Sequence, residues 1–421
     1  MKRRTFVKTI SLGSLGVGAG TLKLAASPGA RIVAPSDEIN VGVIGVGSRG
    51  KWMMEHMLRV PGVRFTALCD IYPPRFDEGR ALTGEATPVY DDYRKLLDAA
   101  GDLDAMLVAT PLNHHADHMT ACLDSGLHVY GEKSLGFTVE HCDRIVAAAQ
   151  RSSKHFQVGH QYRYAPWYRK AVERIKAGEI GRVTHIFGYW HRNYNWRRPV
   201  PDPSLERLFN WRLYREYSGG LLAELGSHHI DIANWIFGGP PISALGNGGI
   251  DFYPDGRETY DNVQVIYNYP EGGKMVFSSL IGNHLVGYQI WIYGTGGSVQ
   301  LTLNDGFFYY EPARSNSAVP EEMMKEGVNT TSTLSTEGDM PYRGPGRAIT
   351  VPVEEDGDPN HLAVMSFFDD LRTDRRPFGD EQVGWGSAIA VALGNQAVYD
   401  GTPVTFSDHV KPFPTPAGDS R

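Results

Sequence analysis

The sequence has little cysteine, no basic excess and no long apolar run after its first 26 residues. Its 421 residues include three cysteines, Cys69, Cys122 and Cys142, without metal-ligand spacing, so we expect neither a disulfide framework nor a metal site. The formal net charge of -7 comes without a basic patch, which argues against a nucleic-acid partner. Because no later stretch approaches the roughly 20 apolar residues that cross a bilayer, we expect no integral membrane segment after signal removal.

The N-terminus carries a twin-arginine pattern. Arg3 and Arg4 in RRTFVK precede a weakly apolar stretch over residues 9–26, which is typical of a leader that exports proteins already folded. We interpret residues 1–34 as this signal and its linker, with cleavage between 26 and 34. This predicts a periplasmic or otherwise exported protein.

From residue 35 to 159 short β-branched runs alternate with amphipathic segments. The runs VGVIG, VRFTALC, AMLVAT, LHVYGEK and HFQVG predict strands, and the segments between them predict helices. Such alternation produces right-handed βαβ units. We therefore expect an α/β protein whose N-terminal domain is a Rossmann fold with a doubly wound parallel sheet.

Residues 160–421 follow a different pattern. Longer alternating runs such as VTHIFGYWH, NVQVIYNYP and YQIWIYG, separated by glycine-rich turns, predict an α+β domain with a large, mostly antiparallel open sheet. One helix, Leu221 to Phe237, interrupts the strands. Residues 313–359 are polar with little periodicity and predict a surface excursion, whereas residues 360–406 predict helices that return to the globule.

The run INVGVIG opens a glycine fingerprint, GVGSRG, which ends at Gly50. Gly45 permits a tight turn, Gly47 allows close approach to a pyrophosphate, and Gly50 lets the following helix pack with its N-terminus facing the anion. Asp70 lies 20 residues after Gly50, at the end of the second strand, where a carboxylate can accept from ribose hydroxyls. We predict a nicotinamide dinucleotide at this loop, in contact with Ser48 and Arg49 as well.

The carboxylate of Asp70 bears on which dinucleotide binds. A negative charge there repels a 2′-phosphate and favours NAD over NADP. Arg49 points the other way because it could reach such a phosphate, but a pyrophosphate contact or a solvated side chain fits it equally well. We predict NAD, with NADP the less favoured alternative.

The segment TPLNHH follows the fourth strand and reaches the edge of the sheet where the nicotinamide is expected. Asn113 is a candidate N-cap of the next helix. The spacing of His114, Asp117 and His118 also suits metal ligands, but an exposed helix face explains it equally well and no closing ligand is evident. We assign this segment to the cofactor through Thr110, Pro111, Asn113 and His115.

The segment GEKS ends the fifth strand at the same edge. A lysine there can contact both a ribose and a substrate hydroxyl, and burial or nearby positive charge can lower its pKa into a useful acid/base range. The alternative is a surface lysine at a strand end. We predict that Glu132 and Lys133 contribute to the cofactor site and that Lys133 is also catalytic.

A third segment, GGLLAELGSHHID, predicts a helix with polar groups on one face. Glu224, His228 and Asp231 stand at i, i+4 and i+7, which places two carboxylates around an imidazole. A histidine that shares its proton with a carboxylate is suited to move protons near neutral pH. The alternative is a core histidine with local hydrogen bonds. We predict that His228 and Glu224 are catalytic.

At these motifs the chain resembles the glucose-fructose oxidoreductase and inositol dehydrogenase family, Gfo/Idh/MocA. The resemblance covers residues 39 to about 406, in the order glycine fingerprint, Asp70, TPLNHH, GEKS, GHQYRY, GGLLAELGSHHID and IYGTGGSV. Ser134 replaces the proline that usually follows the lysine, and Glu224 replaces an aspartate. The resemblance implies oxidation or reduction of a sugar or polyol carbon, with Lys133 and His228 in acid/base and binding roles, and a homo-oligomer, dimer or tetramer.

Substrate selection is expected from the second domain, where aromatics and arginines are dense between Tyr189 and Tyr217. Planar rings stack on sugar faces and arginines reach hydroxyls or a carboxylate, although a dimer interface has the same composition. The residues that we assign to the substrate are Tyr162, Arg163, Trp196, Trp211, Arg212 and Asp231.

Together these features predict an oxidoreductase that acts on a secondary hydroxyl of a sugar or glycoside, possibly at C3. Because no soluble pool of the nucleotide is expected outside the membrane, an exported enzyme must keep its cofactor bound and regenerate it in place. One alternative is an NAD-dependent glycosidase that works by oxidation, elimination and re-reduction, although the His-Gly-Asn and Pro-Thr-His-Gly signatures of such relatives are absent. Another is a non-catalytic, nucleotide-holding sugar-binding protein.

Overall fold

The computed structural model describes residues 38–99, 101–311, 346–351 and 357–406. The predicted leader, residues 1–34, lies outside these ranges, and so does most of the predicted surface excursion at 313–359. The described residues form two sheets with helices packed against them.

The N-terminal sheet has six strands, all paired in parallel. Its strands are β1 (Ile39–Ile44), β2 (Val63–Cys69), β3 (Val89–Tyr90), β4 (Ala105–Val108), β5 (His128–Gly131) and β6 (Phe156–Val158), and its helices are α1 (Ser48–Leu58), α2 (Pro74–Thr83), α3 (Tyr93–Ala99), α4 (His115–Asp124) and α5 (Val139–Arg151). The spatial order β3-β2-β1-β4-β5-β6 is that of a Rossmann fold. This confirms the prediction; the two-residue strand β3 was not predicted.

The second sheet has nine strands, and the sequence prediction of a mostly antiparallel sheet is confirmed. Its strands are β7 (Val183–His191), β8 (Ser243–Gly249), β9 (Asn262–Asn268), β10 (Lys274–Leu280), β11 (Tyr288–Gly294), β12 (Gly297–Leu301), β13 (Gly306–Tyr310), β14 (Arg347–Ala348) and β15 (Val404–Thr405). Their order is β14-β13-β12-β11-β7-β10-β9-β8-β15, and only the pairing of β7 with β10 is parallel among those described.

One face of this sheet packs against helices. The helices after the N-terminal domain are α6 (Pro166–Lys176), α7 (Glu206–Phe209), α8 (Ser227–Phe237), α9 (Pro359–Thr373) and α10 (Glu381–Asp400). Helix α8 approaches β7 closely, since a Cβ added at Gly188 would stand 2.8 Å from a ring carbon of His229. Glycine at this strand position therefore lets α8 lie directly on the sheet, which positions the polar residues of its first turns.

The last two helices connect the second sheet to the Rossmann domain. Helix α9 buries Phe367 and Phe368 among the apolar residues of α1 and β1. Helix α10 contributes Trp385 and Ile389 to the core beside β4 and β5, and Leu393 to the core of the second sheet. None of the helices within the described ranges is both long and apolar enough to span a bilayer.

Candidate active site between the two domains

The glycine fingerprint forms the loop between β1 and α1. Gly45 has a φ of +98°, in the region that glycine adopts readily. A Cβ at Gly50 would overlap the carbonyl oxygen of Gly45, and one at Gly47 would meet the guanidinium of Arg75. The cradle thus leaves bare backbone at the N-terminus of α1, as a bound pyrophosphate requires.

Asp70 lies where the sequence predicted it, directly after β2. Its carboxylate accepts the backbone N–H of Val46 at 2.8 Å and that of Tyr72 at 2.9 Å, and Arg75 lies 3.9 Å away. Burial raises the pKa of Asp70, against the effect of Arg75 and these backbone donors. By accepting from Val46 the carboxylate holds the glycine loop in shape, and this loop of bare backbone fits a dinucleotide.

Arg49 contacts a protein carboxylate in the structure. Its Nε donates to Glu132 at 2.7 Å and its Nη1 to Asn360 at 3.2 Å, which connects α1 to the end of β5. Ser48 accepts from Arg198, a residue of the second domain, at 3.1 Å. Arg75 and Arg198 are the basic residues beside the loop that the sequence reasoning missed; the only local signal was the position of Arg75 five residues after Asp70.

The segment after β4 differs from the expectation. The prediction that Asn113 caps a helix is wrong, because a 3-10 turn at Leu112–His114 precedes α4 and the N-cap position is His114, without a side-chain cap. Asn113 Oδ1 is instead buried without a partner among the described residues. Such an acceptor, close after Thr110 and Pro111 at the carboxyl end of β4, is available to a cofactor hydroxyl or amide.

His115 bridges two strand ends. Its Nδ1 lies 2.9 Å from the carbonyl oxygen of Ser134 and its Nε2 lies 3.0 Å from that of Thr110, and the ring is buried. Both ring nitrogens face backbone carbonyls, so His115 supports the segment that carries Lys133. Burial lowers its pKa.

Lys133 reaches from the Rossmann domain into the second domain. Its Nζ donates to the carbonyl oxygens of Glu224 at 3.0 Å and Ala223 at 3.4 Å, and the Lys133–Ser134 peptide bond is cis. Burial lowers the pKa of Lys133, opposed by the charges of Glu224 and Glu132. The ammonium is therefore held at the domain boundary in an environment that favours proton release.

His228 is buried in an aromatic cluster near Lys133. Its ring lies 5.1 Å from that of Tyr162, 5.7 Å from that of Trp190 and 6.0 Å from that of His160. Burial lowers its pKa well below the usual value, and the positive charge of Lys133 adds to the shift. Because its pKa is lowered in this way, His228 is a neutral imidazole at neutral pH, and its Nδ1 is buried without a partner among the described residues.

The structure does not show the predicted carboxylate–imidazole–carboxylate arrangement. Residues Leu222–Gly226 form a π-helical turn, and regular α-helix begins only at Ser227. Because a π turn is wider than an α turn, spacings of four and seven residues no longer define one face. The Glu224 carboxylate accepts from Arg212 Nε at 2.7 Å rather than from His228. Burial acts to raise the pKa of Glu224, but Arg212 and Lys133 outweigh it and the net shift is downward.

Arg163 and Asp231, both assigned to the substrate, form a buried ion pair with each other. Arg163 Nε lies 2.9 and 2.8 Å from the two carboxylate oxygens of Asp231, and its guanidinium packs over Trp235. The two side chains are only 6% and 2% exposed, so their charges are occupied inside the second domain.

A cavity of about 270 Å³ lies beside Glu224. Its lining residues are Trp190, Arg192, Tyr194, Trp196, Arg198, Phe209, Asn210, Arg212, Glu224 and Leu225. Of the predicted substrate residues, Trp196 and Arg212 line it. Trp211 is not among the lining residues and packs against Arg212, whose guanidinium is 4.1 Å from its ring. Tyr162 is not among the lining residues either, and its ring lies 5.1 Å from that of His228. The cavity has aromatic and cationic walls. It adjoins the glycine loop through Arg198, which donates to Ser48, and Lys133 through Glu224, whose backbone carbonyl accepts from the lysine.

Two family models match the chain. The model described as an oxidoreductase family with an NAD-binding Rossmann fold matches residues 39–160, and that of the GFO/IDH/MocA C-terminal domain matches residues 168–300. Inositol 2-dehydrogenase 2 of Saccharopolyspora erythraea is 29% identical over 275 residues, which are 62% of this chain and 73% of that protein. A glycosyl hydrolase family 109 protein of Shewanella pealeana is 27% identical over 234 residues, and the match spans 51% of this chain and 50% of the relative.

The fold is also that of a solved enzyme. The structure of a levoglucosan dehydrogenase in complex with NADH and levoglucosan superposes with a TM-score of 0.70 at 18% identity, over 87% of this chain and 99% of that one. At this level of identity the likeness concerns the two-domain fold.

Proposed function

Because the chain belongs to the GFO/IDH/MocA family of oxidoreductases, whose N-terminal domain is an NAD-binding Rossmann fold, we propose that it oxidises a secondary hydroxyl of a sugar or glycoside. The observation that carries this proposal is that two residues of the aromatic cavity reach the two halves of the site: Glu224 accepts from Lys133, and Arg198 donates to Ser48 of the glycine loop. The charge of Lys133 also acts on His228, whose pKa it helps to lower. The relative named inositol 2-dehydrogenase 2 supports a hydroxylated ring as substrate.

The residues that would hold the cofactor are Gly45, Gly47 and Gly50 at the pyrophosphate, Asp70 at the ribose, and Asn113 through its unpartnered Oδ1. A bound NAD would supply the hydride acceptor for the carbinol carbon. We favour NAD over NADP because a buried carboxylate opposes a 2′-phosphate. The nearby Arg75 acts in the opposite sense, so titration of the cofactor-free protein with both nucleotides tests this choice.

Lys133 is the proposed base. Burial increases the share of its neutral amine, which can accept the proton of the substrate hydroxyl as the carbonyl forms. His228, neutral at neutral pH, accepts or donates a hydrogen bond to the same or an adjacent hydroxyl. Glu224 acts on the base through its charge and its backbone carbonyl, and Arg212 keeps its carboxylate ionised.

The experiment is a screen of the purified full-length protein against neutral and acidic sugars and their glycosides, with mass-spectrometric detection of products that have lost two hydrogens. A product with a new carbonyl, formed with reduction of the nicotinamide, supports the proposal. If no sugar or glycoside loses two hydrogens while the protein holds its cofactor, the proposed oxidation is wrong.

We also propose that the reaction takes place after export, in the periplasm or otherwise outside the cytoplasm. Arg3 and Arg4 support export of the folded protein together with its cofactor. A nucleotide that is exported in this way would have to be reoxidised while still bound, by a second sugar or by a partner. Acid denaturation of the exported protein followed by absorbance of the supernatant tests this, because a protein that releases no nicotinamide nucleotide cannot be carrying one.

The second candidate is a glycosidase that oxidises the sugar, eliminates the aglycone and returns the hydride. It is favoured by the similarity to a family 109 glycosyl hydrolase, although the chain spans about half the length of that relative. The His-Gly-Asn and Pro-Thr-His-Gly signatures are absent from the sequence. Incubation with glycosides in deuterated water separates the two: aglycone release with deuterium at C2 indicates elimination, and a stable keto-sugar indicates plain oxidation.

A further inference from the structure

Arg192 is a partly buried cation whose side chain forms no ion pair or hydrogen bond with a carboxylate among the described residues; the charge of Glu224 acts on it only from beyond ion-pair distance. It directly follows β7, where its backbone N–H donates to the carbonyl oxygen of Leu280 at 2.8 Å, and its guanidinium lies 4.9 Å from the centre of the Trp190 ring. Both residues line the cavity beside Glu224. A charge withdrawn from water without a partner is costly, which points to a ligand that pairs with it.

The other two arginines of the cavity are engaged. Arg212 pairs with Glu224, and Arg198 donates to Ser48 of the glycine loop, where cofactor phosphates are expected. The lining contains three arginines and a single carboxylate. With Arg212 neutralised and Arg198 facing the cofactor, Arg192 gives the remaining space a positive charge.

We propose that the substrate is an acidic sugar or glycoside and that Arg192 binds its carboxylate. This rests on the proposed function, since it names the class of sugar that the same site takes. The planar guanidinium offers two parallel N–H donors that match a carboxylate, and the cation–π contact with the Trp190 ring restricts its orientation. A neutral sugar offers hydroxyl acceptors but no counter-charge to the guanidinium, so the site discriminates against it.

The test compares matched sugars on the full-length, cofactor-loaded protein. The pairs are glucuronate with glucose and galacturonate with galactose, and glucose 6-phosphate separates a carboxylate site from a general anion site. Binding is measured by calorimetry and turnover by nicotinamide absorbance. We expect the acidic member of a pair to bind about 10- to 100-fold more tightly, which is the affinity that a hydrogen bond between charged groups typically adds.

The variants Arg192→Gln and Arg192→Lys are compared with Arg182→Gln. Arg182 is exposed and immediately precedes the same strand at its opposite end, so it is a matched control. We expect Arg192→Gln to remove the preference for acid over neutral sugar, Arg192→Lys to retain part of it, and Arg182→Gln to retain all of it.

The outcomes distinguish this inference from the proposed function. Oxidation of neutral sugars with equal or tighter binding than their acids overturns the acidic-sugar inference and leaves the proposed function intact. Arg192-dependent binding of uronates, together with the loss of two hydrogens from no sugar or glycoside in the screen, supports the inference and contradicts the proposed function. A preference for glucose 6-phosphate over both uronates overturns the assignment of a carboxylate.

Discussion

The Nζ of Lys133 lies 3.0 Å from the backbone carbonyl oxygen of Glu224, so a side chain from the end of the Rossmann sheet is fixed by the main chain of the second domain. Glu224 lies in the π-helical turn Leu222–Gly226, whose i→i+5 pattern changes which carbonyls point along the helix axis. The turn supplies acceptors to the ammonium without a carboxylate bonded to it. Lys133 thus stays oriented in both protonation states, as a base needs.

Removing the amine of Lys133 should abolish most turnover while the cofactor stays bound. In Lys133→Ala we expect kcat to fall by roughly 10²- to 10⁴-fold, the usual contribution of a positioned acid or base. Steady-state kinetics on a sugar that the screen identifies gives the rate, and nucleotide released on denaturation gives the cofactor content. The exposed Lys170→Ala serves as control. Full turnover in Lys133→Ala would remove this residue from the mechanism.

The charge of Glu224 should set the pH range of activity. Its carboxylate raises the pKa of Lys133 against the larger effect of burial, so neutralising it lowers that pKa further. In Glu224→Gln, whose amide oxygen can still accept from Arg212, the rise of kcat/KM with pH is expected at lower pH than in the wild type. A pH–rate profile measures this. An unchanged or upward-shifted midpoint would mean that Lys133 is not the titrating base.

The sequence was sufficient for the fold because the Rossmann strands and the long alternating strands are local patterns. The two-residue strand β3 was too short to show a period. The glycine cradle and Asp70 were also predictable, since their spacing alone carries the geometry. Contacts between distant segments could not be predicted in this way. Arg198, for example, donates to Ser48, which lies 150 positions earlier in the chain.

The helix around His228 was also predicted incorrectly, for a different reason. The face predicted for Glu224, His228 and Asp231 assumed a regular α-helix, and no residue type in LAELG marks a π turn. The Glu224 carboxylate pairs with Arg212, 12 positions away. The Asp231 carboxylate pairs with Arg163, 68 positions away. Charge complementarity in the folded chain, rather than helical spacing, decided the pairing.

Breaking the buried pair of Arg163 and Asp231 should cost stability more than chemistry. In Asp231→Asn the guanidinium stays buried without its counter-charge, and we expect the free energy of unfolding to fall by about 3–5 kcal/mol. Urea denaturation measures it. The exposed pair of Asp117 and Arg144 is the control, because Asp117→Asn should cost under about 1 kcal/mol.

A double variant tests whether the loss of stability comes from leaving one buried charge unpaired. Arg163→Met with Asp231→Leu removes both charges and should recover most of the stability, since apolar replacements of a buried pair are often neutral. If Asp231→Asn instead unfolds like the wild type and loses sugar binding, the original assignment of Asp231 to the substrate is restored.

The buried imidazole of His229 should make the protein less stable in mild acid. Burial lowers its pKa to about 4, against backbone contacts that raise it, whereas an unfolded chain has a histidine pKa of about 6.5. Above pH 6.5 neither state binds the proton. Between pH 6.5 and 4 only the unfolded state does, so the free energy of unfolding falls by up to about 1.4 kcal/mol per pH unit, and below about pH 4 the loss is complete.

The comparison that isolates His229 is the slope of unfolding free energy against pH in His229→Gln, relative to the wild type. Other buried histidines, such as His118 with its pKa lowered to about 3, contribute equally to both proteins and cancel. We expect a slope smaller by up to about 1.4 kcal/mol per pH unit between pH 6.5 and 4. The exposed His284→Gln is the matched control. Equal slopes in His229→Gln and the wild type would show that the ring takes up its proton in the folded state.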